Sequence, residues 1–307
     1  MSTGGGTTAI VAALAANAGI AAAKFVGFLV TGSSSILAEA VHSVADTSNQ
    51  GLLLVGGKRS QREATAKHPF GYGRDRYFYS FVVALLLFSL GAVFALYEGA
   101  HKLHSPEEIT SPVVAIGILL VAIVLEGFSF RTAVRESRPL KGTCSWWRFI
   151  RQSKSPELPV VLLEDSGALV GLVFALAGVG LTVLTGEPMW DAIGTVGIGL
   201  LLGVIAIILI VETKSLLIGE GSGPEELHTI CTALVGRGVD RVIHLRTQYL
   251  GPDELLVAAK IAVPATMSTA EVARVIDEAE ARVRGAVPAA RIIYLEPDLD
   301  RTPAGTI

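Results

Sequence analysis

Charged residues are scarce in this sequence. Asp, Glu, Lys and Arg together make up 17% of the 307 residues, whereas hydrophobic residues make up 51%. Soluble domains usually carry about 25% charged residues, so the composition excludes an ordinary soluble domain. It predicts a polytopic membrane protein embedded in a lipid bilayer.

Cysteine is also rare, and the net charge is small. The two cysteines, Cys144 and Cys231, are far apart and support neither a disulfide framework nor a cysteine metal cluster. A formal net charge of −3 gives no reason to expect nucleic acid as a partner. No basic residue precedes the first apolar run, so we expect no cleaved secretory signal.

Long apolar runs are the main feature of the first two thirds of the chain. A membrane helix needs about 20 apolar residues. Six runs of about this length cover residues 9–30, 33–55, 77–99, 112–130, 160–184 and 190–211. The sequence therefore predicts six transmembrane helices within a membrane domain at residues 1–215.

Basic residues alternate between the loops that join these runs. Lys and Arg are concentrated in the loops after the second and fourth runs: Lys58, Arg59, Arg62, Lys67, Arg74 and Arg76 in one, and Arg131, Arg135, Arg138, Lys141, Arg148, Arg151 and Lys154 in the other. The other connections contain only Lys102. By the positive-inside rule the basic loops are cytoplasmic, and an even number of spans places both termini there too.

Residues 216–307 have the composition of a small cytosolic domain. Ser268 followed by Glu271 matches the capping box that starts a helix. Pattern and turn residues predict, in order, a helix at 225–235, strands at 239–250 and 255–263, a helix from Ser268 to about 284, and a strand at 291–295. This αββαβ layer is near the lower size limit for a lone core, so we expect it to pair with a second copy.

Two polar residues stand out inside the second run. His42 and Asp46 are four residues apart, which places them on one face of a helix where they can share a ligand. A charged group at mid-bilayer costs about 2.5 to 3.5 kcal/mol, so it is usually paired, beside a cavity, or functional. A bound metal ion offsets that cost, whereas a helix-packing hydrogen bond is the simpler alternative for His42.

The fifth run contains two adjacent acids, Glu164 and Asp165. Neighbouring helical residues point about 100° apart, so only one of them can face a given site. We expect Asp165 to be that residue. Alternatively, both acids cap the start of a shorter helix, where negative charge suits the helix dipole.

Four further polar residues lie inside predicted spans. Asn17, Lys24, Glu98 and Glu126 can each form a hydrogen bond between helices or line a cavity. Lys24 can also extend to the membrane surface or pair with an acid such as Glu126.

With these residues in place, the chain resembles the cation diffusion facilitator family of divalent-metal exporters over nearly its whole length. The motifs that carry the resemblance occur in this order: Thr31-Gly32-Ser33, His42-x-x-x-Asp46, His68-Pro69-Phe70-Gly71-Tyr72-Gly73-Arg74 and Leu295-Glu296-Pro297. Asn49-Gln50, Tyr97-Glu98-Gly99 and Leu163-Glu164-Asp165 are similar to the branch that contains the ninth animal zinc transporter.

The resemblance implies a homodimer of six-helix subunits, each with a cytosolic metallochaperone-like, ferredoxin-like domain, that exchanges metal for protons by alternating access. It also implies a metal site between the second and fifth helices, where His42, Asp46 and Asp165 match ligand positions. The usual fourth ligand is replaced by Val161, so the fourth ligand is Glu164, Asn49 or water. Zinc is commonly four-coordinate, but a transport site must also release it.

Accessory metal sites have less support in this sequence. His68 matches a family ligand, but its partner positions are Thr65 and Tyr72. In the C-terminal domain, the positions where many members carry histidine are Ala273 and Tyr294.

The two histidines of the C-terminal domain, His228 and His244, lack the cluster of ligands that zinc requires. We therefore expect a C-terminal domain that dimerises without binding zinc.

The function predicted from these features is proton-coupled export of a divalent cation, with Zn²⁺ as the transported substrate. A histidine ligand favours zinc over manganese, but manganese, iron, cobalt and nickel all stay open as the main substrate. A cation channel is the main alternative. A metalloenzyme is disfavoured because no His-Glu-x-x-His sequence is present. Without a transit-peptide pattern, a bacterial inner membrane is the default location.

Overall fold

The computed structural model describes residues 3–105 and 108–299, with side chains from residue 17 onward. Its first part consists of long helices joined by short loops. In the described residues these are α1 (Thr3–Thr31), α2 (Ser34–Ser60), α3 (Asp75–Leu86), a π-helical segment (Leu87–Val93), α4 (Phe94–His104), α5 (Pro112–Lys141), the short α6 (Trp146–Gln152), α7 (Glu157–Thr185) and α8 (Met189–Ile218).

Four helices of the described ranges are long and apolar enough to cross a membrane: Asp75–His104, which joins α3 to α4, and α5, α7 and α8. The prediction of a multi-pass membrane protein is confirmed. All six predicted runs fall on long helices. However, α2 is interrupted by polar residues, and Asn17–Thr31 of α1 is a shorter apolar stretch. Six spans therefore stay a prediction.

The long helices place apolar side chains on both their inner and outer faces. On α5, Leu119 and Ala122 are buried in the helical core, whereas Val124 and Phe128 are 65% and 74% exposed. Large exposed apolar side chains along a whole helix are suited to lipid and not to water. Small residues allow the helices to pack closely around this core.

Glycines bring α7 and α8 into close contact. A Cβ atom added at Gly178 would lie 2.9 Å from the carbonyl oxygen of Trp190, and one added at Gly194 would lie 2.9 Å from that of Phe174. Small residues let membrane helices approach until their backbones touch. Larger side chains here would separate the two helices.

The start of α2 is fixed by an acid from α8. Asp191 is buried and accepts hydrogen bonds from the backbone N–H of Ser34 at 2.8 Å, from Ser33 Oγ at 2.8 Å and from Ser34 Oγ at 3.0 Å. The first N–H groups of a helix have no partner within it, and negative charge is favourable there. Asp191 therefore orients the helix that carries His42 and Asp46.

The C-terminal part has the predicted order of elements. Its elements are α9 (Pro224–Leu234), β1 (Arg241–Gly251), β2 (Glu254–Ala262), α10 (Thr269–Ala286) and β3 (Ile292–Asp298). The sheet order is β1-β2-β3, with β1 and β2 antiparallel and β2 and β3 parallel. The αββαβ prediction is confirmed, as is the capping box of Ser268 and Glu271. The Ser268 backbone and side chain donate to the Glu271 carboxylate, which lowers the pKa of Glu271.

One face of this sheet forms the core of the C-terminal part. Leu255 and Val257 of β2 are fully buried against Ile230 of α9 and Val283 of α10. On the strands, polar side chains surround an open depression lined in part by Lys260. The Glu296 carboxylate accepts a hydrogen bond from Lys260, and this contact raises the pKa of the Lys260 ammonium.

The chain divides into two compact units, Met1–Lys58 with Arg76–Lys214, and Arg59–Asp75 with Ser215–Ile307. The second unit includes the loop after α2. There the backbone of Gly73 approaches that of β1, since an added Cβ would lie 2.7 Å from the carbonyl oxygen of Leu250. The boundary between residues 215 and 216 stays a prediction from the sequence.

We expect Asp191→Ala to lower the free energy of unfolding of the full-length protein in detergent by at least about 2 kcal/mol. It removes three hydrogen bonds to a buried charge, each of which contributes roughly 1.5 to 3 kcal/mol. Denaturant titration followed by circular dichroism measures the change. Asp240→Ala, at an exposed position of the C-terminal part, is the control. Superimposable unfolding curves for wild type and Asp191→Ala would contradict the prediction.

Candidate metal centre

Polar residues form a stripe along one side of α2. Glu39, His42, Ser43, Asp46 and Asn49 follow one another at helical spacing, so their side chains lie on one face. Glu39, His42 and Asn49 are fully buried, and Ser43 is nearly so. The stripe faces inward, away from the apolar outer surface of the helices.

His42 and Asp46 lie side by side in this stripe. Nε2 of His42 is 3.6 Å from Oδ2 of Asp46, which is an approach typical of an i, i+4 pair. Among the described residues, neither ring nitrogen of His42 has a hydrogen-bond partner, and neither has Oδ1 of Asp46. Buried polar atoms are hydrogen-bonded in the great majority of cases, so unpartnered ones identify a place with unused binding capacity.

Asp46 and Asp165 face one small cavity. Asp165 of α7 and Glu126 of α5 line it together with Asp46, and Asn17, Ile20 and Ser43 complete the wall. The cavity has a volume of about 10 Å³, which is roughly the room that one water molecule needs. Ser129 Oγ donates a hydrogen bond to Oδ2 of Asp165 at 2.9 Å.

Glu164 has a different partner from Asp165. Nδ2 of Asn49 donates a hydrogen bond to Oε1 of Glu164 at 2.6 Å, and Oδ1 of Asn49 has no partner among the described residues. Glu164 does not line the cavity. Since α7 begins at Glu157, both acids lie well inside the helix, and the alternative that they cap a shorter helix is wrong.

Lys24 of α1 is buried beside the stripe. Its side chain is 1% exposed, and Nζ lies 3.2 Å from Glu39 Oε2, 2.8 Å from Ser43 Oγ and 3.7 Å from Glu126 Oε1. The prediction that Lys24 pairs with an acid such as Glu126 is confirmed. The contact thus links α1 to both α2 and α5.

Three members of this environment were not singled out from the sequence. Glu39 lies three residues before His42, Ser43 three before Asp46, and Ser129 three after Glu126. Each therefore shares a helix face with a residue already identified. Helical spacing measured outward from His42, Asp46 and Glu126 would have found all three.

The predicted ligands do not converge on one point in this structure. Among the described residues, no three His, Cys, Asp or Glu side chains are grouped closely enough to hold a metal ion. Two of the acids are instead engaged by neighbouring hydrogen-bond donors, as buried carboxylates usually are. Ser129 and Asn49 are those donors for Asp165 and Glu164.

The accessory histidines are scattered. The rings of His68 and Tyr72 lie 4.7 Å apart, and Thr65 Oγ1 is 3.4 Å from Tyr72 OH. His228 is exposed, and His244 accepts a hydrogen bond from Nε of Arg246 at 3.2 Å. A C-terminal domain that binds no zinc stays a prediction.

Comparison with known proteins identifies the family of the chain. The family model for the cation efflux transmembrane domain matches residues 10–218, and that for the cation efflux protein cytoplasmic domain matches residues 223–298. The proton-coupled zinc antiporter SLC30A9, mitochondrial, of Homo sapiens is 36% identical over 224 residues, which cover 72% of this chain and 39% of the relative.

Two further relatives come from a plant and a bacterium. Metal tolerance protein C4 of Arabidopsis thaliana is 30% identical over 258 residues, covering 82% of this chain and 56% of the relative. Magnetosome protein MamB of Paramagnetospirillum magneticum is 26% identical over 269 residues, which cover 87% of this chain and 85% of the relative. The matched segment spans about two fifths of the animal relatives. The chain belongs to the cation efflux family, the cation diffusion facilitators, whose members are transporters and not enzymes.

Proposed function

We propose that the protein is a carrier that exports a divalent cation from the cytoplasm in exchange for protons, with Zn²⁺ as its main substrate. One observation carries the proposal: Asp46 of α2 and Asp165 of α7 face the same buried cavity within apolar helices. Acidic groups at membrane depth are costly unless a cation or a water-filled path compensates them. The name of the human relative, a proton-coupled zinc antiporter, supports the choice of metal and of proton exchange.

The proposed ligands are His42, Asp46 and Asp165, with Glu164, Asn49 or water in the fourth position. Zinc accepts imidazole nitrogen and carboxylate oxygen at about 2.0 to 2.2 Å, usually from four ligands. Two carboxylates and a neutral imidazole carry the charge that balances one divalent ion. Val161 offers no ligand atom at the usual fourth position, and a weakly held fourth ligand suits a site that must release its cargo.

Protons compete with the metal for the same atoms. Free imidazole titrates near pH 6.5, and a metal ligand must be deprotonated to bind. In the proposed cycle the site loads metal while open to the cytoplasm and then opens to the opposite side, where protons displace the metal. A proton gradient directed inward thereby drives metal outward.

The proposed assembly is a homodimer of six-span subunits with both termini in the cytoplasm. The basic loops after α2 and α5 support this orientation through the positive-inside rule. The membrane domain comprises residues 1–215, and residues 216–307 form the dimerisation domain. A bacterial inner membrane is the proposed location, although the human relative is named as mitochondrial.

Proteoliposomes loaded at defined pH test the carrier. We expect saturable zinc uptake that depends on the imposed pH gradient and falls at least about tenfold in Asp46→Ala and in Asp165→Ala, because each loses a ligand to zinc. Glu98→Gln, which removes an acid of α4 outside the cavity, is the matched control and should transport like wild type. Parallel runs with manganese, iron, cobalt and nickel establish the preferred metal.

Three results would contradict parts of this proposal. Uptake that ignores the pH gradient excludes proton exchange. Uptake that does not saturate with zinc indicates a channel. Uptake that survives both aspartate substitutions shows that the site lies elsewhere.

Replacing the nitrogen ligand should change the metal preference. We expect His42→Asp to raise the ratio of manganese to zinc transport by about tenfold, because oxygen ligands favour manganese and imidazole favours zinc. His101→Asp, at an exposed position of α4, is the control for the substitution itself. The measurement is competitive uptake of the two metals at equal concentration. An unchanged ratio would remove His42 from the ligand set.

A further inference from the structure

Lys24 lies at the centre of a buried group of charges that the transport proposal does not use. Its ammonium contacts two acids, Glu39 and Glu126, and the hydroxyl of Ser43. A lysine that is 1% exposed within an apolar helix needs such partners, because burial of an uncompensated charge is unfavourable. Two carboxylates therefore share one positive charge.

Glu39 is held firmly in this group. Its Oε2 lies 3.2 Å from Lys24 Nζ, and the carboxylate is fully buried. Its Oε1 faces the backbone of α7 at Gly171, where even a single added Cβ atom would collide with it. Glu39 does not line the cavity, and it is the closer of the two acidic partners of Lys24.

Glu126 is held less closely. Its Oε1 lies 3.7 Å from Lys24 Nζ, which is beyond hydrogen-bond distance, so the attraction is one of charge alone. The same side chain lines the cavity together with Asp46 and Asp165. Glu126 therefore stands between two positions for positive charge: the ammonium of Lys24 on one side and the cavity on the other.

We propose that Lys24 is a built-in counter-ion that holds Glu126 away from the transported metal, and so keeps the site weak enough to release its cargo. The inference rests on the proposed metal site. Without Lys24, Glu126 becomes a further carboxylate available to the cation in the cavity. More anionic ligands bind a divalent cation more tightly, and tighter binding slows release. Lys24 is thus a positioning residue that sets affinity.

A purely structural lysine predicts the opposite result. If Lys24 only stabilises the helix contacts, its removal loosens the site and weakens metal binding. The two roles are therefore distinguished by the direction of the change in affinity, which a simple loss of stability does not reverse.

The test is zinc binding to the full-length protein in nanodiscs, measured by competition with a chromophoric chelator at constant pH. We expect Lys24→Gln to bind zinc at least about tenfold more tightly than wild type and to transport it more slowly in proteoliposomes. The double variant Lys24→Gln, Glu126→Gln should return to within about threefold of wild type. The single variant Glu126→Gln completes the double-mutant cycle, which isolates the interaction between the two residues.

Lys102→Gln is the matched control. Lys102 is also largely buried among the helices, but it donates to the carbonyl oxygen of Gly32 and does not line the cavity. Its substitution should leave zinc affinity unchanged. Tighter binding in this variant as well would show that loss of any buried lysine raises affinity, and would overturn the proposal.

Lys24→Arg provides a test that keeps the positive charge. A guanidinium reaches further and binds a carboxylate through two hydrogen bonds, so it should hold Glu126 more firmly. We expect zinc affinity to fall at least about threefold in this variant. Affinity equal to or above that of wild type would overturn the proposal, even where Lys24→Gln fails to fold.

Failure of this inference is distinct from failure of the transport site. If wild type binds zinc, Asp46→Ala does not, and Lys24→Gln binds no more tightly than wild type, only the role of Lys24 is excluded. If Asp46→Ala and Asp165→Ala bind zinc like wild type, the proposed site itself is excluded.

Discussion

The cost of placing a charge inside a bilayer governs the arrangement of the helices. Insertion of one charged side chain at mid-membrane costs about 2.5 to 3.5 kcal/mol, so each must find a partner within the protein. Lys24 meets acids of α2 and α5, Asp191 meets the start of α2, and Asp165 meets Ser129. These pairs link five of the helices through polar contacts, while apolar side chains such as Phe128 cover the outer surface.

Against this background, the unpartnered atoms near the cavity are informative. Most buried polar groups in the membrane unit have donors or acceptors beside them, yet both nitrogens of His42 and one oxygen each of Asp46 and Asn49 have none among the described residues. A buried imidazole without hydrogen bonds lowers the stability of the folded protein unless a ligand binds its lone pair. In the proposed site, these atoms are the ones that remain available to a cation.

Much of the fold followed from the sequence, because bilayer thickness fixes the length of apolar helices and a capping box fixes the start of α10. The helical spacing from His42 to Asp46 likewise predicted their shared face. Other features carry no such signal. The residues that build the stripe of α2 are the same ones that lower its hydropathy. The loop that contains Gly73 meets β1 through backbone atoms, which leave no side-chain pattern.

Charge balance explains why so many acids surround so small a cavity. In the proposed site, the two carboxylates of Asp46 and Asp165 neutralise one divalent ion, and a third carboxylate would bind it more tightly. Of the remaining acids, Glu164 is engaged by the amide of Asn49, and Glu39 is enclosed with Lys24. Among these three acids, Glu126 lines the cavity and lacks a close hydrogen bond to its counter-ion. In the proposed mechanism, the balance between holding and releasing the metal therefore depends on which positive charge Glu126 faces.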